Sequence, residues 1–160
     1  FSALVHEARA RIEADARAIL SADPAPLRDG GKGAKAYAEA VSVYLAFAIG
    51  KLTDIASTVC TWHSGAEHQK IRQTFGRQAL PMTWDYAEGN VFKQIELISR
   101  VVGLNFVPAG DGKEAQRDAQ SVEYPVGTVI STDPPYYDNI GYADLSDYFF
   151  CWMKPALKSV

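Results

Sequence analysis

Apolar residues recur at steps of three and four along most of this chain, and only near its end does the pattern shorten to one β-branched run. The clearest periodic stretch runs from Ala34 to about Trp62. Tyr37, Val41, Tyr44, Ala48, Leu52, Ile55 and Val59 form one stripe in it, and Lys35, Glu39, Lys51 and Asp54 lie largely off that stripe. The spacing predicts a core helix about 42 Å long at 1.5 Å per residue. A first helix is expected from about Ser2 to Leu20, rich in Ala and Arg, which favour helix intrinsically. The Asp23-Pro24-Ala25-Pro26 and Asp29-Gly30-Gly31-Lys32-Gly33 stretches break it. That glycine run lacks a preceding strand and a Gly-Lys-Ser/Thr ending, so it reads as a flexible connector and not as a phosphate loop.

Further helices are expected over Ala66 to Phe75, stopped by Gly76, over Val91 to Leu104, and over Leu145 to Leu157. In the last of these Tyr148, Phe149, Trp152 and Met153 make an aromatic face, and Pro155 threatens the final turn. Between them, Gly127-Thr128-Val129-Ile130-Ser131 predicts a short buried strand. The fold expected is α/β and mostly helical. Its divisions are an N-terminal helix with connector over 1–33, a helical region over 34–110 and an α/β part over 111–160.

Composition narrows the class without choosing a function. Hydrophobic residues at 48% and charged residues at 22% are those of an ordinary globular chain. No run of ~18 apolar residues offers a membrane span, and no signal peptide is visible. Two cysteines, Cys60 and Cys151, suit a reducing cytoplasm. The net charge of −3 gives no strong basic patch for gripping nucleic acid unaided. Opening on Phe1 inside a helical pattern, the chain reads as an internal fragment or processed product.

Candidate chemistry gathers after the expected strand, at Asp133-Pro134-Pro135-Tyr136. The carboxyl ends of strands are where open α/β sheets bind ligands. Each proline fixes its own φ and holds the preceding residue extended, so Asp133, Pro134 and Pro135 are nearly frozen as a unit. A carboxylate and a carbonyl without a neighbouring N–H donor form a rigid acceptor array, followed by an aromatic plate. Such an array suits an exocyclic amine such as adenine N6. It accepts both hydrogens, directs the lone pair outward and stabilises the charge that grows as nitrogen attacks a methyl donor. Tyr136 would stack on the base, which duplex DNA must first flip out.

Asp-Pro-Pro-Tyr after a strand is similar to the motif of the AdoMet-dependent amino-methyltransferases of DNA. The longer run from Thr132 to Tyr148 resembles the branch of adenine-specific DNA methylases described as carrying a zinc ribbon. Residues Phe75 to Glu88 and the Cys60-Thr61-Trp62-His63 helix end also resemble that branch. The resemblance implies a fragment of a Rossmann-like methyltransferase fold with a helical insertion. It further implies S-adenosyl-L-methionine as cofactor and DNA as substrate. By it, Asp133 and the Pro134 carbonyl hold the amine, Pro135 stiffens the turn and Tyr136 stacks. Asp118-Ala119 resembles the acidic turn near the cofactor's adenine.

Tyr137, Asp138 and Asn139, which directly follow the motif, are candidates to line the base pocket. Arg77, with Lys70, Arg72 and Gln73 near Trp62 and Trp84, is a candidate for DNA phosphate contacts against the plainer reading of a solvated face. Cys60, His63 and His68 have ligand-type spacing but no fourth ligand nearby, so no metal is expected here and the branch's zinc ribbon would lie elsewhere. A glycine-rich cofactor loop is absent, since Phe75-Gly76-Arg77 has neither a second glycine nor a preceding strand. The main cofactor cradle is therefore expected in the missing remainder of the parent chain, and this chain alone is expected to be inactive. Two rival readings stand. One is a methyltransferase acting on RNA or a protein glutamine amide; the other is a non-catalytic helical interaction module with a relic motif.

Overall fold

The computed structural model describes residues 1–65, 69–76, 90–104, 112, 115–134, 140–158 and 160. Among them the chain forms helices α1 (Ser2–Ala16), α2 (Ala34–Ile55), α3 (Val91–Val102) and α4 (Tyr142–Ala156). A single 3-10 turn lies at Leu27–Asp29, and Trp62–His63 (β1) pairs antiparallel with Lys70–Ile71 (β2). Helix α2 is the axis of the molecule, with α1, α3 and α4 packed around it.

The buried face of α2 keeps Ala48 and Leu52 of the expected stripe but not its tyrosines. Ala34, Ala38, Ser42, Ala46, Ile49 and Leu52 turn inward, whereas Tyr37 and Tyr44 are about half exposed (52% and 45%). The difference is one of size. Alanines let neighbouring helices approach closely, and Ala38, Ala46 and Ala156 are completely buried. Two tyrosines would hold the helices apart, and at the surface their hydroxyls keep water. Val5 of α1, Ala46 and Ile49 of α2 and Ala156 of α4 share one core, covered by Leu45, Met153 and Leu157. That core draws on all three of the divisions expected along the chain.

The glycine-rich connector is a folded loop. Asp23 accepts from the Ala25 and Lys32 amides at 2.9 and 2.8 Å, tying both ends of the loop to one carboxylate. Gly30 stands at φ 77°, and a side chain at Gly31 or Gly33 would collide with the Ala25 or Asp23 carbonyl. Glu39, only 3% exposed, reaches from α2 to accept from the Leu27 amide at 2.6 Å, so its buried carboxylate is satisfied. At the far end of the molecule α1 caps α4. His6 Nε2 lies 2.7 Å from the Pro155 carbonyl, and Arg9 donates to the Lys158 carbonyl at 3.3 Å.

Helix boundaries shift from the expected ones for local reasons. The first helix stops at Ala16, and the Ala18 and Ile19 amides beyond it bond the Asp15 and Ala16 carbonyls in tighter turns. Helix α2 ends at Ile55 because the Thr74 backbone amide takes the Asp54 carbonyl at 2.6 Å. The helix expected over Ala66 to Phe75 is not formed where the structure describes it, since Lys70–Ile71 is a strand paired with Trp62–His63. Residues 66–68 lie outside the described residues. Asn90 caps α3 by accepting from the Phe92 and Lys93 amides. Pro155 is accommodated inside the last turn of α4, which starts three residues before the expected Leu145.

The strand expected over Gly127 to Ser131 is also not formed. Gly127 turns at φ 86°, and Val129 and Ile130 are 93% and 58% exposed in a segment without regular secondary structure. A strand is stabilised by pairing, and among the described residues no neighbour offers this segment a ladder. β-Branched composition favours the extended conformation but does not provide a partner.

Candidate functional site

Asp133 and Pro134 lie in the irregular stretch that follows Gly127, and both are exposed. Pro135, Tyr136, Tyr137, Asp138, Asn139 and Arg77 lie outside the described residues. Asp118 and Ala119 sit in an exposed turn of their own. Asp118 Oδ1 accepts from the Gln120 amide at 2.9 Å, and its carbonyl accepts from the Ser121 and Val122 amides. No hydrogen bond joins Asp118 to Asp133 among the described residues.

Cys60 is turned inward, with Sγ 3.4 Å from Ser57 Oγ and Thr74 Oγ1 and 3.5 Å from the Asp54 carbonyl. His63 is on β1, where Nδ1 accepts from the Gly65 amide at 3.3 Å, and His68 lies outside the described residues. Among the described residues no three His, Cys, Asp or Glu side chains gather as a metal site. Lys70, Arg72 and Gln73 are exposed beside the half-exposed Trp62, on and after the second strand of the hairpin. The glycine run offers no anion cradle, because the Asp23 carboxylate already takes the Lys32 amide.

A polar cluster at the end of α2 was not anticipated. Thr74 is completely buried, and its hydroxyl lies 2.8 Å from the Asp54 carbonyl and 3.1 Å from that of Thr53. Those carbonyls share its single proton, so Ser57 Oγ, 2.8 Å away, is the donor to Thr74 Oγ1. Tyr148 of α4 donates to the same Thr53 carbonyl at 3.0 Å. Its ring meets Phe75 edge-on at 5.0 Å and Phe149 at 5.2 Å. The only signal for this cluster in the sequence is the threonine and serine content around a helix end, which is too common to single out one partner.

Burial raises the pKa of the Asp54 carboxyl. Lys51 and hydrogen bonds from the Thr74 and Phe75 backbone and the Gln73 side chain oppose that shift. The Lys32 and Ala25 amides lower the pKa of Asp23. Two apolar grooves flank α2. One, of about 430 Å³, is lined by Phe1, Leu4, Leu45, Leu52, Phe92 and Ile95, and the other includes Phe47, Ile98, Phe149 and Met153 with Lys51 and Asp54 at its edge. No described helix is long and apolar enough to cross a membrane. Comparisons with protein-family models, curated proteins and solved structures yield no match to this chain.

Proposed function

We propose that this chain is the base-holding part of an AdoMet-dependent methyltransferase that acts on the N6 amine of adenine in DNA. The supporting observation is the Asp133-Pro134-Pro135-Tyr136 array, two acceptors on a proline-stiffened backbone followed by an aromatic ring. The fold it belongs to is, on this reading, a Rossmann-like α/β domain of which the chain holds a mostly helical piece. The exposure of Asp133 and Pro134 is consistent with a site open to a flipped base.

Asp133 accepts one N6 hydrogen and the Pro134 carbonyl the other, which favours a pyramidal nitrogen with its lone pair directed outward. S-adenosyl-L-methionine, when bound, supplies a methyl group on a sulfonium centre. As the new N–C bond formed and the donor's S–C bond broke to leave a neutral thioether, Asp133 would stabilise the positive charge on nitrogen, and the surplus proton would leave to water. Pro135 keeps the acceptors in register and Tyr136 stacks on the ring. Tyr137, Asp138 and Asn139 line the base pocket, and Arg77 contacts phosphate. Asp118 and Ala119 make one contact to the donor, whose main cradle lies outside this chain.

In the full-length protein Asp133→Ala is expected to lower methyl transfer to DNA at least about 100-fold with the circular dichroism spectrum unchanged. A radiolabelled-methyl assay showing retained activity overturns the assignment. Parallel assays on RNA and on a protein glutamine amide separate the acceptor classes, and transfer to either in place of DNA replaces the substrate named here.

A further inference from the structure

We infer that the C-terminal carbonyls of α2 form a coupling joint, through which Thr74 and Tyr148 tie the order of the 70–75 segment to that of α4. The observations are geometric. The Thr53 carbonyl accepts from Thr74 Oγ1 at 3.1 Å and from Tyr148 Oη at 3.0 Å, so one oxygen holds two elements distant in sequence. The Asp54 carbonyl takes both the Thr74 amide and its hydroxyl. Phe75, next to Thr74, packs edge-on against the Tyr148 ring at 5.0 Å and touches Phe149 at 6.0 Å.

Helix ends leave their last carbonyls without intrahelical donors, and these two end carbonyls are served by groups outside the helix. Thr74 is completely buried, so water cannot replace these bonds when they are lost. Loss of the Tyr148 hydroxyl frees the ring to turn, which removes the edge contact that holds Phe75 and with it Thr74. Loss of the Thr74 hydroxyl frees Phe75 in the same way and loosens its hold on α4. Tyr148 and Thr74 are therefore positioning residues. On the reading proposed above, α4 follows the Asp133–Tyr136 motif in the chain, so this joint links that motif's helix to the hairpin side of the molecule.

Native-state hydrogen exchange on the whole chain tests the joint without any methyl donor or nucleic acid, so its failure is distinct from failure of the methyltransferase reading. Tyr148→Phe is expected to speed exchange of the Thr74 and Arg72 amides about fivefold, the size of one lost hydrogen bond, with α1 unchanged. Thr74→Val is expected to speed exchange in the middle of α4 by a similar factor, and Thr74→Ser, which keeps the hydroxyl, to restore the original rate. Effects confined to the mutated element overturn the joint. Should Thr74→Val fail to fold, Tyr148→Phe decides alone: faster exchange at Thr74 supports the coupling, and unchanged exchange there overturns it.

Discussion

The α1–α2–α4 body and the 115–134 segment satisfy their polar groups in opposite ways. In the body, bonds cross large sequence distances: His6 to Pro155, Glu39 to Leu27, Tyr148 to Thr53. In the segment they stay within a turn, as with Ser121 and Val122 on Asp118 or Thr128 on Pro125. The apolar residues follow suit, Ala46 and Ala156 being fully buried while Val126 and Val129 are almost wholly exposed. A long-range bond fixes two elements distant in sequence against each other and must offset the entropy of closing the loop between them, whereas a turn bond orders only the turn. The body therefore carries the stability of the fold, and the segment carries the candidate chemistry.

Four measurements would break or sharpen that contrast. The largest effect is expected from Ile49→Ala, which empties the shared core and should cost about 2–5 kcal/mol in urea unfolding. A cost near zero would show that α1, α2 and α4 do not share one core. Next comes Glu39→Ala, which strips the Leu27 amide of its acceptor and should cost about 1–3 kcal/mol by the same measurement.

The Asp54 carboxyl has a raised pKa in the folded chain, so its contribution to stability is fully present below the unfolded carboxylate pKa and is lost as pH rises through the folded value. Asp54→Asn should flatten that decline in thermal unfolding between acid and neutral pH. Asp23 has the opposite sign. Its pKa is lowered by the Lys32 and Ala25 amides, so its contribution is present above the unfolded pKa and lost as pH falls through the folded one. An unchanged pH slope in Asp54→Asn would mean that burial does not govern this carboxyl. The smallest effect belongs to the segment, where Val129→Ser should change stability by no more than about 0.5 kcal/mol. A core-sized loss there would show that the segment is packed after all.

The helices of this protein were legible because amphipathic periodicity and helix-breaking residues act over a few neighbours. Four of the five expected helices fall where the pattern placed them among the described residues, with ends shifted by up to seven residues. The inward face of α2 was legible only at Ala48 and Leu52, because large apolar residues dominate a periodicity count while alanines decide how closely helices meet. The residues at 70 and 71 read as helical until Trp62 and His63 pair with them, a preference overridden by a partner. What was legible at Asp133 was local, proline geometry and acceptor type, and the chemistry read from them is a proposal. The Thr74 cluster was not, because a threonine hydroxyl becomes a cap only when a helix end is brought to it.

Sequence by itself determined the elements whose causes are local: four of the helical stretches and the break at the prolines and glycines of the connector. Tertiary structure alone decided which face of α2 is buried, where α2 stops, and that α1 caps α4. It also left Val129 and Ile130 exposed. Local conformation follows from sterics within a few bonds, whereas burial and pairing depend on partners that the chain acquires only by folding.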